Sequence, residues 1–115
     1  MADISSRDQS IPYEWGSGGT GWPLIQSAAF EVKEEELASG CSETRHKHDH
    51  TSQSYYILSG SADVEIDGKT MPLCEGDCIF ISAGSVHKIA NQSSLSLRFL
   101  VISVPPVSAD RIVTE

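Results

Sequence analysis

Turn signals recur at short intervals after Gly40, and the segments between them are only long enough for β-strands. The signals lie at residues 60, 67–68, 75–77, 83–84 and 91–94. Strands that alternate with turns at this rhythm are typical of an all-β sandwich or barrel, and no segment has a helical pattern longer than one turn. Because the chain has 115 residues, we expect a single domain with one core.

The predicted domain has three parts. Residues 1–22 contain four glycines and both tryptophans without strand or helix periodicity, so we interpret them as an arm. Residues 23–106 are predicted to form the barrel, whose last strand ends before Pro105 and Pro106. Residues 107–115 are predicted to be a tail that packs on the outside of the barrel or frays.

Two histidines, His46 and His48, are separated by one residue in a segment rich in strand-forming residues. In an extended strand this spacing directs both imidazoles to one face, roughly 6.6 Å apart along the backbone. His87 begins another predicted strand and can face this pair across the barrel interior. Three neutral imidazoles are suited to bind one divalent transition metal ion such as zinc, nickel, manganese or iron.

The histidines also fit two spaced motifs. Gly40, His46, His48 and Gly60 fall at the spacings of G(X)5HXH(X)3,4E(X)6G, and Gly76, Gly84, His87 and Asn91 fall at those of G(X)5PXG(X)2H(X)3N. These are the two motifs of cupins, and the chain resembles that family over residues 40–91. The resemblance implies a double-stranded β-helix, or jelly-roll, barrel. It also implies a metal ion held by His46, His48, Gln53 and His87, with Asn91 in a structural role at a turn.

Gln53 is the main departure from the family pattern, because it stands where cupins usually have glutamate. A carboxylate would place a negative charge on the metal, whereas a neutral amide leaves the full +2 charge to polarise a carbonyl or enolate oxygen. Non-redox chemistry is therefore favoured. The resemblance offers a parallel, because some small cupins with three histidines and a glutamine look like pectin-degradation proteins that linearise an unsaturated uronate, or like polyketide cyclases. The alternative interpretation is a decayed site, since an amide is a weak ligand.

Three further side chains are candidates for roles near the metal. Tyr55 has the strand parity of Gln53 and a hydroxyl that can move a proton, so we predict it to be catalytic, although a buried core tyrosine is the alternative. His50 is predicted to be a proton shuttle at the rim. Arg98 would bind a substrate carboxylate or phosphate if it points inward, but residues 95–104 are apolar on both faces and leave its direction open.

Charge and composition exclude several classes of partner. The formal charge of −8 repels nucleic acids and anionic membranes. The charged run at residues 33–36 is predicted to be a solvated turn. Cys41, Cys74 and Cys78 match no disulfide or zinc pattern and are predicted to be reduced, buried hydrophobes. No export signal follows Met1, so a cytoplasmic location is expected.

The sequence also predicts partners and a class of function. Two-sided hydrophobicity at residues 95–104 indicates that a second chain covers one face, so we expect a homodimer with Trp15 or Trp22 as anchors. The favoured function is a metal-dependent isomerase, lyase or cyclase acting on a small molecule with a carbonyl or hydroxyl group. A metal-dependent dioxygenase and a non-catalytic ligand-binding module are the alternatives.

Overall fold

The computed structural model describes residues 3–107 and 110–114, and the prediction of an all-β fold is confirmed. One 3-10 turn, Arg7–Gln9, precedes eleven strands in this part of the chain. The strands are β1 (Tyr13–Trp15), β2 (Gly19–Gln26), β3 (Glu31–Leu37), β4 (His46–His48), β5 (Ser52–Ser59), β6 (Ser61–Ile66), β7 (Lys69–Cys74), β8 (Cys78–Ile81), β9 (His87–Ala90), β10 (Leu97–Val104) and β11 (Arg111–Val113). The described residues contain no helix with the length and hydropathy that a membrane span requires.

Two antiparallel sheets enclose one core. The larger sheet has the strand order β1-β2-β3-β10-β5-β8, and the smaller has the order β11-β4-β9-β6-β7. Both sheets contribute to a single cluster of buried apolar side chains, which are Leu37, Tyr55, Ile57, Ala62, Val64, Ile81, Ile89, Leu97, Phe99 and Val101. Buried polar side chains, among them His46, His48, Gln53 and His87, accompany this apolar core.

The central strand β10 links the core to that site. Its alternate residues from Leu97 to Ser103 are buried, as expected for a strand with one face inside the barrel. Phe99 packs against Trp15 and Tyr55, with ring centroids 5.9 Å and 5.4 Å away. Burial of one such side chain contributes about 1.5–3 kcal/mol, so β10 stabilises the barrel and fixes the position of Ser103.

Both ends of the described chain join the sheets. Tyr13–Trp15, within the predicted arm, forms β1 and pairs with β2. Residues 19–22 of the same segment begin β2. Arg111–Val113, within the predicted tail, forms β11 and pairs with the strand that carries His46 and His48. Residues 1, 2, 108, 109 and 115 lie outside the described residues.

The prediction of a solvated turn at residues 33–36 is wrong. They belong to β3, which pairs with β2 and β10. Glu34 is buried and forms an ion pair with Arg98, with Oε2 and Nη2 3.0 Å apart. Lys33 and Glu35 point the other way and line a cavity. A charged strand is tolerated because one face offers counter-charges and the other offers polar space instead of apolar core.

The prediction of buried cysteines is also wrong for two of the three. Cys74 and Cys78 are exposed, and Cys41 is partly buried. Cys78 opposes Tyr56 across β5 and β8, on the outer face of the larger sheet, so alternation turns it away from the core. All three are free thiols, as the sequence predicted.

Candidate metal centre

Three buried histidine side chains meet in the barrel interior. His46 and His48 are the first and last residues of β4, so alternation places them on one face. His87 begins β9 and is the direct cross-strand partner of His46. Ring nitrogens of the three lie within 4.8 Å of one another, and none of the residues is more than 3% exposed. The prediction that these residues share one site is confirmed.

Backbone carbonyls set the orientation of two of the rings. Nδ1 of His46 lies 2.8 Å from the carbonyl oxygen of Thr44, and Nδ1 of His87 lies 2.9 Å from that of Ser85. A carbonyl oxygen only accepts hydrogen bonds, so Nδ1 carries the hydrogen in both rings and Nε2 presents a lone pair. This is the tautomer in which Nε2 can bind a metal.

Unpartnered nitrogens support a ligand between the rings. His87 Nε2 and both ring nitrogens of His48 are buried and make no hydrogen bond to the described residues. A buried polar atom without a partner costs roughly 1–3 kcal/mol, which binding of a cation would offset. Three imidazoles with free nitrogens are a donor set for a divalent transition metal, so the residues present fit such an ion.

Burial keeps these imidazoles neutral. Loss of hydration lowers the pKa of His46 to about 3, and the contact with Thr44 only partly opposes this effect. Burial is also the main cause that lowers the pKa of His48 and of His87. Neutral imidazole is the form that coordinates a metal, so the cluster does not need to release protons near neutral pH before it binds one.

Gln53 faces the same site from β5 of the opposite sheet, and its amide is held at both ends. Nε2 donates to Oγ of Ser103 at 3.1 Å, and Oε1 accepts from the hydroxyl of Tyr55 at 3.3 Å. Because Nε2 is engaged with Ser103, the oxygen is the end of the amide available to the cavity. An amide oxygen has two lone pairs, so it can accept from Tyr55 and also coordinate a cation.

His46, His48 and Gln53 form part of the wall of a cavity of about 440 Å³, a volume typical of small-molecule sites. The wall consists of Tyr13, Glu14, Trp15, Gly16, Lys33, Glu35, Glu43, Thr44, His46, His48, Gln53, Tyr55, Val101, Val107 and Arg111. The set combines candidate metal ligands, both signs of charge and aromatic side chains.

The charged residues of the cavity wall are Glu14, Lys33, Glu35, Glu43 and Arg111. Glu43 accepts a hydrogen bond from the amide of Ile89 at 3.1 Å, and its Oε2 lies 4.0 Å from His46 Nδ1. Burial is the main cause that raises the pKa of Glu43 to about 8. Burial likewise raises the pKa of Glu35. The cavity wall therefore holds two carboxyl groups that retain their protons more readily than usual, together with the cations of Lys33 and Arg111.

The other residues singled out in the sequence lie in different places. Tyr55 is buried and lines the cavity. His50 is exposed and is not part of the cavity wall, although its backbone amide donates to Asp110 at 2.9 Å. Arg98 points outward to Glu34, so the open question of its direction is answered. Asn91 is buried and bonds the carbonyls of Leu37 and Leu95, which is the structural role expected of it.

Sequence reasoning missed the charged wall of the cavity. For Lys33 and Glu35 a signal was available, because both share strand parity with the core residue Leu37. Tyr13 and Arg111 had no such signal, since they lie in a three-residue strand at each end of the chain whose pairing depends on distant segments.

The model of the Cupin domain matches residues 33–103, which include all the proposed metal ligands. The chain belongs to the cupin family. An oxalate-binding protein of Thermotoga maritima is 35% identical over 69 residues, which are 60% of this chain and 57% of that protein. This cupin therefore matches little more than half of the length of that relative.

Solved structures place the fold of this cupin among its relatives. KdgF from Halomonas sp. superposes with a TM-score of 0.85 at 15% identity, over 95% of this chain and 98% of KdgF. The polyketide cyclase RemF from Streptomyces resistomycificus gives a TM-score of 0.86 at 22% identity, over 100% of this chain and 87% of RemF. The predicted double-stranded β-helix is confirmed.

Proposed function

We propose that this cupin is a non-redox metalloenzyme, an isomerase, lyase or cyclase, that acts on a small anionic molecule with a carbonyl or hydroxyl group. One observation carries the proposal: three histidines converge, and two of them, His46 and His48, line a cavity together with a neutral amide, Gln53, where the family usually has a carboxylate. The structural similarity to a polyketide cyclase supports it at the level of fold.

The metal ligands would be His46, His48, His87 and Gln53. When bound, a divalent ion such as zinc, nickel, manganese or iron would supply a Lewis acid that polarises a substrate oxygen. The four neutral ligands would leave its charge undiminished. Tyr55 keeps the amide of Gln53 oriented, and its own pKa is raised well above the usual range by burial, so its hydroxyl stays protonated and can donate.

The other side chains of the cavity would position the substrate. Arg111 offers a guanidinium that would bind a carboxylate in a two-pronged contact, the role that Arg98 would have had if it pointed inward. Lys33 adds positive charge, although its Nζ already lies 3.3 Å from Glu31. Trp15 and Val101 provide apolar surface for the carbon skeleton of the substrate.

The experiment measures turnover of an unsaturated uronate by protein purified without chelator, with and without oxygen. We expect conversion that consumes no oxygen and that His46→Ala abolishes. Gln53→Glu should keep the metal but lose turnover by roughly tenfold or more, a barrier increase of about 1.4 kcal/mol. Normal turnover by Gln53→Glu would contradict the Lewis-acid argument, and oxygen consumption would point to the dioxygenase alternative.

A second candidate function is non-catalytic binding of a small acid. The specific observation is the 35% identity to an oxalate-binding protein, together with the cation of Arg111 in the cavity. Calorimetric titration with oxalate tests it. This candidate would be favoured over the enzyme if the protein binds oxalate tightly, if the oxalate is recovered chemically unchanged, and if the uronate is not converted.

A further inference from the structure

We propose that Tyr13 and Glu35 form a subsite that binds a hydroxyl group of the substrate, on a wall of the cavity formed by the larger sheet. This inference rests on the proposed function, because it assigns a second point of attachment to the same cavity. Both residues line that cavity, and both belong to strands outside the sheet that carries the three histidines.

A single cross-strand row places the two residues together. Tyr13 on β1 is paired with Gly21 on β2, and Gly21 is paired with Glu35 on β3. A side chain on Gly21 would collide with the Tyr13 ring. The glycine therefore lets the ring lie across β2, where its hydroxyl donates to Oε2 of Glu35. Trp15 lies against Gly19 in the same way, two residues further along.

Glu35 retains one carboxylate oxygen for a ligand. Tyr13 occupies Oε2, and no residue in 3–107 or 110–114 donates a hydrogen bond to Oε1. The neighbouring Lys33 directs its Nζ to Glu31. Charged residues are rare on the inner face of a barrel unless each is paired, so a carboxylate with a free oxygen beside a cavity is suited to an incoming hydroxyl donor. The burial that raises the pKa of Glu35 also strengthens hydrogen bonds to it.

The position of this subsite defines a class of ligand. A molecule that reaches the histidines through one oxygen and Arg111 through an anionic group needs a further hydroxyl to bind Glu35. The chemical class is therefore a hydroxylated carboxylate. An apolar carboxylate of equal length would make no hydrogen bond to Tyr13 and Glu35. Specificity then follows because a site that hydrogen-bonds a hydroxyl loses binding affinity when the ligand lacks that hydroxyl and the polar groups of the site are left unpaired.

The test is calorimetric titration of the protein with two six-carbon carboxylates, gluconate and hexanoate, after loading with zinc. We expect the wild type to prefer gluconate. Glu35→Gln should raise the dissociation constant for gluconate about tenfold, as expected for loss of a hydrogen bond to a charged group, and leave that for hexanoate unchanged. Tyr13→Phe should weaken gluconate binding less.

The matched control is Glu36→Gln, which makes the same charge change on the next residue, whose carboxylate pairs with Arg7 at 3.2 Å outside the cavity wall. It should bind both probes as the wild type does. A wild type without preference for gluconate, or equal losses for both probes in Glu35→Gln, would overturn the subsite. The zinc content of the same samples separates the two proposals. If protein treated with zinc retains none, yet still prefers gluconate in a way that depends on Glu35, the subsite is retained and the metalloenzyme is refuted.

Discussion

The amide of Gln53 has one hydrogen-bond partner at each end, and this restraint determines which atom faces the cavity. Replacing Ser103 by alanine removes the acceptor for Nε2 and frees the amide to rotate. Loss of such a supporting contact typically lowers metal affinity about 10–100-fold, so we expect Ser103→Ala to weaken zinc binding by at least the lower figure. Competition with a chromogenic chelator measures it.

The control for this prediction is Ser54→Ala, on the outward side of the strand that carries Gln53. It should leave zinc affinity unchanged. Equal affinities for the Ser103→Ala variant and the wild type would show that the amide needs no support, or that it is not a ligand.

Glu35 predicts a pH dependence of stability. Burial raises its pKa in the folded state above the ordinary value of 4.5, while Tyr13 and Lys33 oppose the shift and Glu31 adds to it. Above pH 4.5 the unfolded state therefore binds fewer protons than the folded state, and the free energy of unfolding falls as pH rises through the folded pKa. The Glu35→Gln variant lacks this titrating carboxyl, so its free energy of unfolding relative to that of the wild type should increase as the pH rises. Urea unfolding from pH 4 upward measures the difference, and a constant difference would contradict it.

Two turns between strands provide a matched test of steric fit. Gly60 links β5 to β6 and Gly68 links β6 to β7, both with φ of +86°. A methyl group at Gly60 would lie 2.7 Å from the carbonyl oxygen of Ser96, whereas nothing lies within 4 Å of one at Gly68. We expect Gly68→Ala to cost about 1 kcal/mol of unfolding free energy from backbone strain alone, and Gly60→Ala about 2–4 kcal/mol. Equal losses in urea titrations would contradict this account.

At the scale of the strands, the sequence predicted much of the fold, and the strands that it missed have physical explanations. Turn residues and alternation identified the strands around His46 and His87, because those strands bury one face in an ordinary apolar core. β3 was missed because its inner face lines a polar cavity and its outer glutamates meet arginines from distant segments, which no local pattern encodes. The short strands β1 and β11 depend on tertiary pairing rather than on their own propensity.

The candidate site divides in the same way. The common face of His46 and His48 could be predicted from their spacing, because local strand geometry dictates it, whereas Gln53 was identified through the resemblance to the cupin motif. Glu35 and Arg111 reach the cavity through the pairing of whole strands, so only the assembled barrel reveals them.

At the scale of the whole molecule, we expect a homodimer. Tyr56, Phe80, Ile102 and Val104 are exposed apolar side chains on the adjacent strands β5, β8 and β10. They bear no charge on a chain of net charge −8, so two copies can meet there with the least repulsion. Light scattering should give twice the chain mass, and Phe80→Glu, at a position 65% exposed, should give the monomer without loss of metal. A monomeric wild type at micromolar concentration would contradict the prediction.

The central claim is that His46, His48, His87 and Gln53 gather about one divalent ion. Elemental analysis of protein purified without chelator tests it most directly, with His50→Ala as a control because that histidine is nearby, exposed and outside the cavity wall. The account predicts one transition metal ion per chain in the wild type and in His50→Ala, and none in His46→Ala or His87→Ala. Wild-type protein free of transition metal, or an unchanged metal content in His46→Ala, would contradict it.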